Sequence, residues 1–184
     1  MPLSKPVSRN LKHTREIRCL GYEREDGLWD IEGHITDVKS YSFGSPDQVG
    51  INAGEPMHDM WVRLTLDDDL VVREAEASTD ASPFTMCPDI TGGVAALKGE
   101  RVGNGWRKTV HGKIGRVLGC THIVHLLVGP MATTVFQTVV PIVNRRRTKK
   151  GAAAKPNFLD SCHAYATDSP VVKRMWPDYY TGTD

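Results

Sequence analysis

Alternation of apolar and polar residues dominates the first part of the chain. From Thr14 to Glu23, Ile17, Cys19 and Gly21 alternate with charged neighbours, the period of a strand with one buried face. Glu25-Asp26-Gly27 supplies a turn, and Leu28 to Val38 (LWDIEGHITDV) resumes period two. Residues 14–38 are therefore predicted as an antiparallel hairpin. Residues 42–56 carry Gly, Pro, Asn and Asp without an apolar period and read as a loop. Met60 to Leu66 and Leu70 to Ala77 make a second hairpin around Asp67-Asp68-Asp69, so that 60–77 pair with each other. In its first strand Trp61, Arg63 and Thr65 fall on one face, and Val62, Leu64 and Leu66 on the other.

After Asp80 the period lengthens. Residues 88–98 can start a helix, weakened by Gly92-Gly93, and Trp106 to Leu118 reads as an amphipathic helix with Val110, Ile114 and Val117 as its apolar stripe. Ile123 to Val143 is a run of 21 residues without Lys, Arg, Asp or Glu, followed by Arg145, Arg146 and Arg147. Its length and basic flank suit a membrane span. Its His125, Gln137, four threonines between Thr121 and Thr138, Gly129-Pro130 step and Pro141 suit a buried core helix instead. On that reading no membrane is involved, Pro130 sits in the helix's first turn, Pro141 sits near its end, and Val135, Phe136 and Val139 are buried. Strands followed by helices predict an α+β fold, with the hairpins 14–38 and 60–77 in one antiparallel sheet covered on one face by C-terminal helices. The predicted organisation is a domain over 1–144, a basic linker over 145–157, and a tail over 158–184 that packs on the domain.

Composition narrows the function. The 23 basic and 22 acidic residues cancel to +1, which argues against a nucleic-acid partner. Cys19, Cys87, Cys120 and Cys162 lie far apart, with no C-x-x-C pair, so neither a disulfide framework nor a zinc ribbon is indicated. Residues 1–15 hold no apolar stretch of signal-peptide length, and a cytoplasmic protein, compatible with a homo-oligomer, is the expectation.

Residues able to do chemistry gather at the predicted element ends: His58-Asp59 before a strand, Thr79-Asp80 after its partner, and Cys120-Thr121-His122 where a helix opens. Hairpin closure makes the first two pairs neighbours. A cysteine at a helix start feels the positive end of the helix dipole. His58, Asp59, Asp80, Cys120 and His122 are thus the candidate catalytic set. Walker, GxGxxG, HExxH and Gly-x-Ser-x-Gly motifs are absent from the sequence.

HTREI at 13–17, DGLWDIEGH at 26–34, the stretch 54–83 beginning GEPMHDMW and ending TDASP, GCTH at 119–122, ATTVFQT at 132–138 and the later DSCHAY resemble a bacterial family known only as a domain of unknown function. That resemblance implies a context among genes of aromatic-acid and acyl-CoA catabolism. The order of elements is also similar to iron–sulfur scaffold proteins, with His58-Asp59 in the place of a first cysteine, Asp80 or Cys87 in the second and Cys120 in the third. This second resemblance implies a polar pocket or a mononuclear site for zinc or iron.

Two functions are expected from these readings. The first is hydrolysis of an acyl-CoA thioester, with an aromatic acyl group, by a cofactor-free hydrolase. His58 with Asp59 or Asp80 would be base and orienting carboxylate, and amides beside Cys120 and Thr121 would face the oxyanion. Arg145, Arg146, Arg147, Lys149 and Lys150 would meet the CoA phosphates, and Trp29, Trp61 and Phe136 would wall an aromatic pocket. The alternative is a metal-binding or iron–sulfur-scaffold-like protein without catalysis.

Overall fold

Strand β1 (His13–Glu23) pairs with β2 (Trp29–Lys39) in an antiparallel hairpin. Its turn is closed by the Arg24 N–H donating to the Leu28 carbonyl at 2.9 Å, with Gly27 at φ 83°, a conformation that suits a residue without Cβ. Two short strands follow, β3 (Phe43–Ser45) and β4 (Gln48–Ile51), paired with each other. They lie inside the stretch expected to be a loop; strands of three and four residues are too short to display a period. Strand β5 (Pro56–Leu66) then pairs with β6 (Val72–Ala81). The main sheet has the order β1-β2-β5-β6 and is antiparallel throughout. The computed structural model describes residues 3–45, 47–149, 156 and 158–183.

The aspartate-rich β5–β6 turn is built by side-chain acceptors. Asp67 Oδ1 accepts the N–H groups of Asp69 at 2.9 Å and Val71 at 3.0 Å, and Leu70 takes φ 64°. The Trp29 indole N–H donates to Asp68 Oδ1 at 2.9 Å, tying this turn to the start of β2.

A 3₁₀ segment (Cys87–Leu97), helix α1 (Trp106–Ile114) and a 3₁₀ turn (Arg116–Leu118) follow the sheet. The helix expected over 106–118 stops early because Gly115 is extended and Arg116 has φ 57°. Val117 therefore leaves the apolar stripe and is 95% exposed, while Val110 and Ile114 stay buried.

Next come α2 (Thr121–Leu126), a π-helical turn (Leu127–Met131) and α3 (Ala132–Lys149). Pro130 lies in that π turn, inside the helical run and not in its first turn. Its missing N–H breaks the regular ladder, and a wider turn absorbs the break. The Trp106 indole N–H donates to the Leu127 carbonyl at 2.8 Å, a buried bond at the same turn. Pro141 is likewise internal, since α3 continues through Arg145, Arg146 and Arg147 to Lys149. The predicted linker thus begins as helix: arginine and lysine are good helix formers, and cations favour the negative helix end. Lys150 and residues 151–155 and 157 lie outside the described residues.

One face of the sheet is covered by these helices. Trp29, Ile31, Ile35, Met60, Val62, Leu64 and Leu66 share a buried cluster with Trp106, Val110, Ile123, Leu126, Leu127, Met131, Val135 and Val139. Two glycines let helix and sheet meet: a Cβ at Gly33 would stand 2.7 Å from Met131 Sδ, and one at Gly21 would strike Thr138. The run Thr121–Thr148 is long and apolar enough to cross a membrane by length and composition. Its buried side chains belong to the sheet's core. Val135 and Val139 are fully buried as expected, but Phe136 is 40% exposed, because it falls off the stripe that faces the strands.

The chain divides into two compact units, 1–144 and 145–184. Within the second, Phe158, Tyr165 and Trp176 pack on one another with ring centroids 4.8–5.9 Å apart. Ser169 caps helix α4 (Pro170–Met175) by accepting the Val172 N–H. Cys162 and His163 are exposed.

Candidate metal centre

Strand register sets the first three members of the site in a row. Arg15 on β1 stands opposite Asp37 on β2, and Asp37 stands opposite His58 on β5. Side chains directly opposite on one face of an antiparallel pair are close enough to interact. Asp37 occupies the next inward position after Trp29, Ile31, Gly33 and Ile35, and His58 the inward position before Met60 and Val62. Period two thus carries one acid and one imidazole onto the helix-covered face. Helix α2 supplies the fourth member. Cys120 is its N-cap, and His122 in its first turn reaches down to the row.

Asp37 is completely buried and is the hub. Its Oδ1 accepts from Arg15 Nε at 2.8 Å and lies 2.7 Å from His13 Nε2; its Oδ2 accepts from Arg15 Nη2 at 2.8 Å. The same Oδ2 lies 3.1 Å from His58 Nδ1 and 3.6 Å from His122 Nε2. The two imidazoles lean together with ring centroids 3.8 Å apart. Behind His122, on the nitrogen turned away from Asp37, Cys120 Sγ is 3.6 Å from Nδ1, and it also touches Met60 Sδ at 3.7 Å.

The charge states follow from these surroundings. Burial pushes the Asp37 carboxyl up, but the hydrogen bonds from Arg15 and His13 outweigh it and hold the group at about 2. Burial lowers His58, opposed in part by Asp37. Burial, reinforced by the neighbouring His58 and Arg15, takes His122 down to about 4. At neutral pH the cluster is one carboxylate between two neutral imidazoles. Among the described residues, Asp37, His58 and His122 form the group whose ligand atoms, one from each, all lie within 4.8 Å of one another.

Of the five residues expected to share a pocket, the structure brings together His58, Cys120 and His122. Asp59 departs because it is the neighbour of an inward residue on a strand, so it faces the other side of the sheet. There its Oδ1 lies 2.6 Å from His34 Nε2, and His34 stacks on Trp61 at 3.7 Å. Asp80 is exposed within β6 and lines an open cleft of about 350 Å³ with Gly50, Pro56, Thr79, Ser82 and Pro88, a wall that includes neither His58 nor His122. Both pairs expected at strand ends lie inside longer strands, β5 and β6. Trp29 is buried on the helix side while Trp61 is exposed on the other face, so they form no common aromatic wall. All four cysteines are free, and Cys87 stands outside the Asp37–His58–His122 group.

Sequence reasoning missed Asp37, Arg15 and His13. Asp37 was visible in one respect: it is a charged residue in an otherwise apolar inward series.

Residues 13–137 match the family described as a protein of unknown function (DUF2889), and the chain belongs to that family. No curated protein and no solved structure matches the chain.

Proposed function

We propose that the protein binds one divalent transition-metal ion, zinc or iron, through Asp37 Oδ2, His58 Nδ1 and His122 Nε2. The observation that carries this reading is spacing. Ligand atoms around a tetrahedral metal at ~2.1 Å stand roughly 3.4 Å apart. The contacts from Asp37 Oδ2 to His58 Nδ1 and His122 Nε2 are 3.1 and 3.6 Å. An ionised carboxylate and two neutral imidazoles need not lose a proton before binding. Two histidines and one carboxylate leave coordination positions open, which suits catalytic zinc or non-haem iron. Cys120 stands beyond the histidine's other nitrogen, where an outer partner fixes ring orientation and tautomer.

Purified protein, stripped with a chelator and titrated separately with Zn²⁺ and with Fe²⁺ under anaerobic conditions, should take up about one equivalent of at least one of them. Failure to bind either overturns the proposal. Asp59→Asn and Asp80→Asn should leave that affinity within about twofold, since surface changes away from a site are worth only a few tenths of a kcal/mol. A marked loss in either variant would move the site away from Asp37.

A second reading is favoured by the same His58–Asp37 contact at 3.1 Å. In an acyl-CoA thioester hydrolase, His58 would be the general base, oriented by Asp37 rather than by Asp59 or Asp80. Arg145, Arg146 and Arg147 are exposed on the last turns of α3. Thioester hydrolysis by chelator-treated protein would support this reading. Hydrolysis restored only by metal would join the two, the ion then activating water.

A further inference from the structure

Resting on the metal assignment above, we infer that the open side of the site receives a small carboxylate ligand, bound by the metal and by the free edge of the Arg15 guanidinium.

Exposure shows where an incoming ligand arrives. Among the side chains in contact with Asp37, Asp37's own atoms are fully covered, and His58 and His122 are 9% and 18% exposed. Arg15 and His13 are 38% and 43% exposed. The exposed rim of the cluster is therefore a guanidinium and an imidazole. Charge points the same way. A divalent ion, one carboxylate, two neutral imidazoles and one guanidinium leave a formal excess of positive charge. The ion is then the largest local charge at the site and favours an anion in its open positions.

Arg15 selects the anion's shape. It spends two of its N–H donors, on Nε and Nη2, in a bidentate pair with Asp37. A guanidinium has five such donors on a planar fork. Among the described residues the Nη1 group of Arg15 has no acceptor, so the Nη1–Nη2 edge is left to face a second planar group. Two parallel N–H donors match the two oxygens of a carboxylate. The Asp37 pair also fixes the guanidinium plane, so little side-chain freedom is lost when the ligand binds.

Cobalt(II) provides the test, because its visible spectrum reports a change of ligand. The cobalt-loaded protein would be titrated with acetate and benzoate, with their neutral amides, and with inorganic phosphate. Carboxylates should shift the spectrum saturably, the amides should not, and phosphate should act more weakly. Arg15→Gln also loosens Asp37, so cobalt is supplied to saturation, and at saturation the variant should bind carboxylates about tenfold or more weakly than wild type, the value of a charged hydrogen bond. Arg15→Lys keeps the charge without the fork and should fall between, and it serves if the glutamine variant does not fold. Equal responses to amides or phosphate, or carboxylate affinity unchanged in both variants, would overturn this inference while leaving the metal site standing. Absence of stoichiometric cobalt binding would overturn the metal reading and this one with it.

Discussion

His122→Ala is expected to weaken zinc binding by more than about a hundredfold, beyond the 10–100-fold range typical of losing an outer partner. The imidazole reaches Asp37 Oδ2 from a helix, whereas His58 reaches it from a strand. Removing His122 therefore opens the cluster on one side and leaves the β1-β2-β5 row of Arg15, Asp37 and His58 intact. The apo fold should survive, because that row holds Asp37 without help from α2. His58→Ala should be as damaging to affinity. Cys120→Ser should cost less, about 10–100-fold, if the sulfur only orients His122; a loss as severe as that of His122→Ala would place the ion on the Nδ1 side of His122, beside the thiolate, and overturn the assignment to Asp37. Zinc titration by calorimetry, with circular dichroism of each apo variant, checks all three. Wild-type affinity in His122→Ala would place the ion elsewhere.

The hairpins and the α+β class were legible because alternation is a local property: Val62, Leu64 and Leu66 follow one another inward at period two, and the sheet obeys it. The same rule also contained the separation of His58 from Asp59, since adjacent strand residues cannot share a face. Reading them as a catalytic pair set chemical plausibility above geometry. Asp37 could not be assigned to His58 from spacing along the chain, because its partner depends on β2 lying between β1 and β5. That order is a long-range fact, and the hairpins alone do not state it. His122 was legible as a helix-opening residue, but which part of the sheet lies beneath α2 was not. The misplacements of Val117 and Phe136 have smaller causes. Arg116 adopts a left-handed backbone that ends α1, and the π turn at Leu127–Met131 rotates everything after it relative to a regular helix.

That π turn is where the largest effect on folding is expected. Trp106 is 3% exposed, and its indole N–H supplies a buried bond to the Leu127 carbonyl at 2.8 Å. Trp106→Ala removes both the ring and the donor and should cost about 3–5 kcal/mol, as for other buried aromatics cut to alanine. Trp106→Phe keeps most of the ring but leaves a buried carbonyl without its donor, at a cost of about 1–3 kcal/mol. Urea denaturation separates the two contributions; a phenylalanine variant as stable as wild type would mean that water or a backbone N–H takes over the carbonyl. Metal linkage then distinguishes damage to the fold from damage to the site. A ligand that binds only the folded state stabilises it by about 2.7 kcal/mol at a hundred times its Kd. Trp106→Phe should start from a lower apo stability and gain that increment on adding zinc, because His122 precedes the altered turn and keeps its place over Asp37. His122→Ala should start near wild type and gain almost nothing at the same zinc concentration. Wherever Trp106→Phe costs less than that increment of about 2.7 kcal/mol, the two variants exchange their order in the presence of metal, an outcome that requires the helix to hold the fold at Leu127 and the ion at His122.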